Sequence, residues 1–458
     1  MTIAAVSTAL SPAGIAVIRI SGDDAVAIAD RVFRTRGRTL SDMAGYTCAY
    51  GAVFSRGEKL DEAVATVFRA PHSYTGEDVV ELSCHGGTAV TLEILRALYD
   101  AGAVPAGPGE FTKRAFLGGK LDLIEAESVM DIIRASSSDE ARAAVSVKDG
   151  RLSRAINALK ETLLSTAAHL GAWADYPEED IPEVDPDMIE TTLNTVVEQL
   201  VTILGSYDNG RLLTDGINTV IVGKPNVGKS TLMNLLSGEQ MSIVTDIPGT
   251  TRDSIEAAVR LGSVRLNLTD TAGLREADNE IERIGVSRTR EKLRAASLII
   301  CVFDTSEPLD IEDRELLVAL PDGVPAIAIC NKTDLSTVDA PDISEARFSY
   351  IFSISAKYST ERERAALTTA LQDAVRELFF DHCGGSGEIL LYNERQRSLT
   401  ERALNAAKDA LSAVRRGETL DAVTVAIEDT AGLLAELTGE RVTDEVVDRV
   451  FHHFCVGK

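Results

Sequence analysis

The sequence predicts a multidomain fold: an α+β N-terminal domain, then a discontinuous α-helical bundle with an α/β phosphate-loop domain inserted between its two parts. Three observations predict it. The run Ile217-Asn218-Thr219-Val220-Ile221-Val222 is a buried-strand pattern that feeds straight into Gly223-Lys224-Pro225-Asn226-Val227-Gly228-Lys229-Ser230, a fit to the phosphate loop GxxxxGK[ST]. Apolar residues recur at three- and four-residue spacing on both sides of that domain, as amphipathic helices require. Ahead of them, strand-like runs and one helical run share the first 118 or so residues. Because both flanks are helical and the termini of a domain commonly lie close together, insertion is the economical arrangement.

In chain order, Gly14 to Ile20, Val64 to Ala70 and Val79 to Cys84 read as strands, and Thr88 to Leu98 as a helix. Leu152, Ile156, Leu159, Leu163, Ala167 and Leu170 form one apolar stripe on a long helix. Asp175 to Asp187 is an acidic, proline-bearing loop, and Met188 to Leu204 a further helix. The nucleotide domain runs from Ile217 to a helix ending near Phe380, and Gly384-Gly385-Ser386-Gly387 marks its exit. Helices resume with Leu404, Ala407, Leu411 and Val414, then Val446, Val447, Val450, Phe451 and Phe454. The expected boundaries are 1–118 for the α+β domain, 119–214 and 381–458 for the helical parts, and 215–380 for the inserted domain.

The inserted domain carries a complete guanine-nucleotide grammar. In the phosphate loop, glycines let backbone N–H groups cradle phosphates, Lys229 reaches the outer phosphates, and the Ser230 hydroxyl, followed by Thr231, can ligate Mg²⁺. Asp270-Thr271-Ala272-Gly273 follows an apolar strand, Asp270 reaching the ion's outer shell. Asn331-Lys332-Thr333-Asp334 offers the Asp334 carboxylate to the ring N–H and amino group of guanine, an arrangement adenine cannot supply; Ser355-Ala356-Lys357 completes the set. Four motifs in this order specify GTP, and the domain is of the Ras-like α/β P-loop GTPase type. The position where many small GTPases hold a water-orienting Gln is Leu274, so either hydrolysis is negligible or another group acts. Glu282 is the candidate, its alternative being a solvated helix charge. Asn226, beside Thr245-Asp246-Ile247-Pro248-Gly249-Thr250-Thr251, could help ring a monovalent cation in place of an arginine finger, and Thr251 is then the switch threonine that closes on Mg²⁺.

Composition narrows the partners. At 458 residues, the chain has room for about three domains, and 45% hydrophobic residues suffice for real cores. No apolar run reaches the ~18 residues of a membrane span, and no basic-then-apolar signal opens the chain, so a cytoplasmic protein without membrane contact is expected. Cys48, Cys84, Cys301, Cys330, Cys383 and Cys455 lack CxxC spacing, which argues against a disulfide framework or zinc module. A formal charge of −25 repels nucleic acid over most of the surface, so an RNA partner must meet a local basic patch. Arg31, Arg34, Arg36 and Arg38 are the densest such cluster, with a solvated face as the alternative. Phe111 to Lys120 alternates aromatics with cations, either a capped turn into a helix or an anion contact. In the closing segment, Phe451 and Phe454 read as core while Cys455 and Lys458 reach a site; metal ligation by His452, His453 and Cys455 lacks a second ligand cluster.

These residues resemble one family across the whole chain, the MnmE (TrmE) tRNA-modification GTPases. The marks are Val17-Ile18-Arg19-Ile20-Ser21-Gly22, Tyr74-Thr75-Gly76-Glu77-Asp78, His85-Gly86-Gly87, Phe111 to Lys120, Gly249-Thr250-Thr251-Arg252-Asp253 and Phe454-Cys455-Val456-Gly457-Lys458. The resemblance implies a folate-binding-like N-terminal domain and a homodimer that binds 5-formyltetrahydrofolate or a related one-carbon tetrahydrofolate. It also implies GTPase domains that pair around K⁺, and an MnmG (GidA) type partner using FAD and NADH. Together such proteins place an aminomethyl or carboxymethylaminomethyl group on carbon 5 of the wobble uridine of certain tRNAs. By motif match, Arg19, Glu81, Lys120 and Lys458 bind the folate, Asn226, Thr245, Ile247 and Thr250 ligate K⁺, Ser230 and Thr251 ligate Mg²⁺, and Glu282 is hydrolytic, with Cys455 a second catalytic candidate. The segment Ala9-Leu10-Ser11-Pro12-Ala13 departs from the family's glycine-rich loop, which leaves local folate or dimer geometry open. A ribosome-assembly GTPase and a GTP-regulated folate-dependent one-carbon transferase are the alternatives.

Overall fold

A computed structural model describes residues 1–135, 137–175, 185–237, 255–262, 264–269, 293–335, 343, 347–379 and 391–458. The chain divides into two compact units. One comprises Met1–Ile133, Ser146–Leu200 and Ser398–Lys458; the other comprises Arg134–Val145 and Val201–Arg397.

In the first unit, β1 (Ile3–Val6), β2 (Ala13–Ser21), α1 (Ala25–Val32), β3 (Phe33–Thr35), β4 (Thr47–Ser55), β5 (Glu58–Phe68), β6 (Val79–Gly86), α2 (Thr88–Asp100) and β7 (Val104–Pro105) build a seven-stranded sheet of order β3-β4-β5-β6-β2-β1-β7. It is antiparallel except for the β1–β7 pair. The inward residues Ile18, Ile20, Val53, Ala65, Val67, Val80 and Leu82 are buried with Val26, Ile28, Ile94 and Leu98 of the two helices. The period-two alternation then turns the opposite residues outward, among them Tyr50, Val64 and Ile15.

Strands β1, β3, β4 and β7 have no counterpart in the sequence reading, and β5 has other bounds; for β4 and β5 the physical reason is plain. Strand β4 was not expected, because Ala49, Gly51 and Ala52 dilute its alternation. Glycine is needed at 51: a Cβ there would lie 2.4 Å from the Arg34 carbonyl oxygen across the β3–β4 pair. Strand β5 starts six residues before Val64, since Glu58, Lys59, Asp61 and Glu62 belong to its wetter hairpin end, and stops at Phe68, ahead of Pro71.

The helices of this unit follow the predicted stripes. The expected turn into a helix at Phe111 is itself a helix, α3 (Glu110–Leu117), and is followed by α4 (Leu123–Arg134) and α5 (Ser138–Lys148), whose last residues belong here. All six stripe residues of α6 (Arg151–Asp175) are buried. Helix α7 (Pro186–Gly205) contains the predicted Met188–Leu204 span. The chain returns to this unit within α12 (Glu394–Arg415), whose first residues belong to the second unit, and continues with α13 (Leu420–Thr438), which packs along α6, and α14 (Asp444–His452). Phe451 and Phe454 join Leu123, Ala126, Val129 and Met130 of α4 in one cluster, with Phe116 of α3 against it.

The second unit holds α8 (Tyr207–Asp215), β8 (Ile217–Val222), α9 (Lys229–Ser237), β9 (Ile255–Leu261), β10 (Val264–Thr269), β11 (Leu298–Asp304), α10 (Ile311–Ala319), β12 (Ala326–Asn331), β13 (Tyr350–Ser353) and α11 (Glu361–Phe379). Its sheet has the order β13-β12-β11-β8-β10-β9 and is parallel apart from the β9–β10 pair. Ile300, Val302, Ile327 and Ile329 face a core shared with α9 and α11, while Ile299, Cys301, Phe303 and Ala328 face one shared with Leu317 of α10. With both faces covered, β11 and β12 read as continuous apolar runs, the mark of a buried parallel sheet.

Candidate nucleotide site and N-terminal cleft

Strands β8, β11, β12 and β13 run parallel and end at Val222, Asp304, Asn331 and Ser353. Open α/β sheets bind ligands outside the carboxyl ends of their strands, and the nucleotide motifs leave from those ends. The phosphate loop curls because Gly223, Asn226 and Gly228 take positive φ values of 149°, 63° and 101°, which turns backbone N–H groups into a concave nest. The glycines are sterically required. A Cβ at Gly223 would lie 2.3 Å from the Val302 carbonyl oxygen, and one at Gly228 would lie 2.1 Å from the Asn331 amide nitrogen. Helix α9 starts at Lys229, so its leading N–H groups have no intrahelical acceptor and its positive end faces the loop.

Within the loop, Lys229 donates to the carbonyl oxygens of Gly223 at 2.7 Å and Lys224 at 2.6 Å, and burial pushes its ammonium pKa down. Val227 is buried, Thr231 is half-buried, and Asn226 and Ser230 are exposed. Asn331 joins phosphate loop to base loop: its amide nitrogen donates to the Val227 carbonyl at 2.7 Å, and its amide oxygen accepts from the Ala356 N–H at 2.9 Å. Asp334 is exposed and accepts from the Ser355 hydroxyl. Lys332, at a φ of 62°, donates to Asp304 at 2.5 Å. Burial works against the Asp304 carboxylate, yet the hydrogen bonds from Lys332 and Ser306 hold its pKa below the ordinary value. Thr333 and Lys357 are exposed, the Lys357 ammonium 5.1 Å from the Tyr358 ring centroid.

Sequence reasoning missed one part of this site. Lys224, second in the phosphate loop, is bound by Asp310 at 2.8 Å and Asp313 at 2.7 Å. Burial opposes its charge, but the two carboxylates outweigh it and push the ammonium pKa up. Asp310 and Asp313 form a reciprocal capping box at the start of α10. An acid-x-x-acid step before an apolar run was the signal that could have found the helix start, though not its partner. Thr245, Asp246, Ile247, Pro248, Gly249, Thr250, Thr251, Asp270, Thr271, Ala272, Gly273, Leu274, Glu282 and Cys383 lie outside the described residues.

In the first unit, the β2–β6 register sets Arg19 opposite Glu81, and their side chains meet at 2.8 Å. The Arg19 guanidinium lies 5.2 Å from the Tyr74 ring centroid and 5.6 Å from that of Phe111, two cation–π contacts. Burial pushes the Tyr74 phenol up against its hydrogen bond with Thr112. Lys120 donates to the Pro71 carbonyl at 3.2 Å. The closing segment docks on the same elements. The Lys458 carbonyl accepts from the Phe111 N–H at 3.1 Å, the Cys455 carbonyl from the Gly109 N–H at 3.2 Å, and the Gly457 carbonyl from the Ser7 hydroxyl at 3.0 Å. Thus Arg19, Glu81, Phe111 and Lys458 are brought together, with Cys455 exposed beside them. The other cations of the Phe111 to Lys120 stretch are committed within the protein: Lys113 pairs with Asp448, and Arg114 with Glu77 and Glu110. Among the described residues, no group of three or more His, Cys, Asp or Glu side chains could hold a metal, and no helix is long and apolar enough to cross a membrane.

Comparison with known proteins matches the family model "MnmE helical domain" over residues 123–455 and the model "GTP-binding protein TrmE N-terminus" over residues 2–120. A protein from Geobacillus thermodenitrificans named tRNA modification GTPase MnmE is 41% identical over 463 residues, covering 100% of this chain and 99% of that one. Its namesake from Bacillus subtilis is 38% identical over 462 residues and is covered in full, as is this chain. Among solved structures, Aquifex aeolicus Era bound to GDP and AlF4⁻ covers 42% of this chain and 66% of that one, at 22% identity and a TM-score of 0.26, too slight a likeness to speak to function.

Proposed function

The chain belongs to the MnmE family of tRNA modification GTPases, and from that premise we propose that it hydrolyses GTP to drive modification of carbon 5 of the wobble uridine in certain tRNAs, together with an FAD- and NADH-using partner of the MnmG type. The observation that carries the nucleotide half is Asn331, whose one amide ties the phosphate loop to the Ala356 backbone, so that phosphate and base recognition belong to one site. The described residues suit the nucleotide. The nest from Gly223 to Lys229 offers N–H donors and an ammonium to phosphates, the Ser230 hydroxyl at the start of α9 is exposed for Mg²⁺ with Thr251 as second ligand, and Asp334 presents a carboxylate to guanine.

In the finer reading, Asn226, Thr245, Ile247 and Thr250 hold K⁺, whose charge takes the place of an arginine finger at the phosphates. Glu282 orients the water that Leu274 cannot. In the N-terminal cleft, the paired Arg19 and Glu81, bracketed by Tyr74 and Phe111, suit a flat, hydrogen-bonding heterocycle, with Lys120 and Lys458 serving the anionic end of a one-carbon tetrahydrofolate. The chain acts as a homodimer in the cytoplasm.

The test is reconstitution: purified chain, flavoprotein partner, tRNA, tetrahydrofolate donor, NADH and GTP, with wobble nucleosides read by mass spectrometry and GTP turnover compared in matched K⁺ and Na⁺ buffers. Modified uridine that depends on GTP, and faster turnover in K⁺, are expected. Unmodified tRNA in the complete mixture would refute the function, and equal turnover in the two salts would refute the cation.

A further inference from the structure

At the β3–β4 end of the sheet of the first unit, away from the part of the outward face that Tyr74 and Phe111 cover, that face carries a pattern the Arg19–Glu81 pair does not use. Arg34, Arg36 and Arg38 are all exposed, and none forms an ion pair with a described residue. In register, Arg34 of β3 stands opposite Ala52 of β4. Alternation along β4 puts Tyr50 and Phe54 on the same outward face, two residues to either side of Ala52 and about 13 Å apart. Between them the Ala52 side chain is small, and the Arg34 guanidinium lies over Phe54, 4.8 Å from its ring centroid. Tyr50 is 66% exposed despite its size. The neighbouring acid, Glu62, is already engaged twice, by Lys59 at 2.6 Å and by the Tyr50 hydroxyl, so it does not cancel the arginines.

We propose that this face docks unpaired nucleotides of the RNA substrate, the exposed Tyr50 stacking on a splayed base while Arg34, held against the half-buried Phe54, meets phosphates with Arg36 and Arg38. The reasoning is one of charge and shape. A chain of net charge −25 repels a polyanion except where basic side chains are left unpaired. Single-stranded RNA is bound by aromatic and guanidinium planes displayed on an open sheet. Here both occur on adjacent strands, Arg34 of β3 over Phe54 of β4 and the exposed Tyr50 two residues to the other side of Ala52. The inference rests on the family reading that tRNA is the substrate.

The experiment measures binding of fluorescently labelled tRNA to the full-length chain at several salt concentrations. It uses wild type, the triple variant Arg34→Gln/Arg36→Gln/Arg38→Gln, and Tyr50→Leu, with GTP turnover and sedimentation run in parallel. All four side chains are solvent-facing, so folding and turnover should be retained. The triple variant should lose at least about tenfold in affinity, and its slope of log affinity against log salt should flatten by about 2, near 0.7 for each of three phosphates. Tyr50→Leu should lose about fivefold or more with the slope unchanged, because stacking carries no counterion release. Wild-type affinity and slope in the triple variant would overturn the surface. So would loss of self-association in the variants, which would make this face an interface between copies. If the wild-type chain itself does not bind tRNA, the substrate reading falls first and takes the surface with it.

Discussion

Asp334 and Asp304 are both carboxylates at the carboxyl edge of one sheet, and their surroundings give them different work. Asp334 is exposed and touched by the Ser355 hydroxyl, free to accept two hydrogen bonds from a base. Asp304 is turned inward onto the Lys332 ammonium and so ties that side chain of the Asn331 to Asp334 loop to the end of β11. Charge-assisted bonds of the first kind are worth ~1.5 to 3 kcal/mol each. Asp334→Asn should therefore lower GTP affinity by at least about tenfold and favour xanthosine triphosphate, whose C2 carbonyl oxygen, in place of guanine's amino group, suits an amide donor; calorimetric titration with both nucleotides would show it, and unchanged GTP affinity would remove the assignment. For Asp304 the prediction concerns pH. Its folded pKa lies below the ordinary 3.8, so its contribution to stability is present above that value and is lost as pH falls through the folded pKa. Wild type should melt higher than Asp304→Asn near neutrality, and the gap should close below about pH 4, as read by thermal denaturation across pH. The motif around Asp334 was legible in the sequence because its residues are contiguous. The Asp304 contact was not, because it depends on the β11–β12 register that sets Asp304 beside Asn331.

Elements whose burial follows a single period were the legible ones. The stripe of α6 fixes one face of one helix, and the run Ile217 to Val222, feeding the phosphate loop, marks β8 as a buried strand. Strand β4 escaped because its pattern is set by a neighbour, the backbone of β3 pressing against Gly51. The link between the phosphate loop and α10 escaped for the same reason: Lys224 is far in sequence from Asp310 and Asp313 and meets them only when β8 and β11 lie side by side. That link carries a prediction at the level of elements. Asp313 is 3% exposed, so removing its cation leaves a carboxylate in a dry site, a loss of about 3 kcal/mol or more. Lys224→Met should lower the melting temperature of the second unit and weaken GTP binding. Adding Asp313→Asn should recover much of the stability, because the stranded charge is gone. If the single variant melts and binds GTP like wild type, the latch has no role in setting the loop.

At the scale of the whole molecule, the nucleotide site belongs to one unit and the Arg19–Glu81 cleft to the other, so a change confined to the cleft should separate their activities. The closing segment offers that change. Its three backbone contacts with Ser7, Gly109 and Phe111 all lie in the first unit, and at ~0.5 to 1.5 kcal/mol each they hold the segment without forming core. Gly457 is the point of leverage: its φ is 95°, and a Cβ would come 2.1 Å from the Val6 carbonyl oxygen, a backbone atom that cannot swing away. Gly457→Val should therefore lift Lys458 and Cys455 off the cleft while Phe451 and Phe454 remain packed on α4. GTP binding and turnover of the isolated chain should stay close to wild type, whereas tetrahydrofolate binding, followed by calorimetry, and wobble-uridine modification in the reconstituted mixture should both fall by about tenfold or more. Deleting Cys455 to Lys458 should give the same separation. Cys455→Ser distinguishes position from chemistry: it leaves the docked backbone intact, so modification lost in this variant alone assigns the thiol a chemical part, and modification retained assigns the segment's effect to Lys458 and its placement. Full modification by the deletion variant would show that the segment packs beside the cleft without serving it.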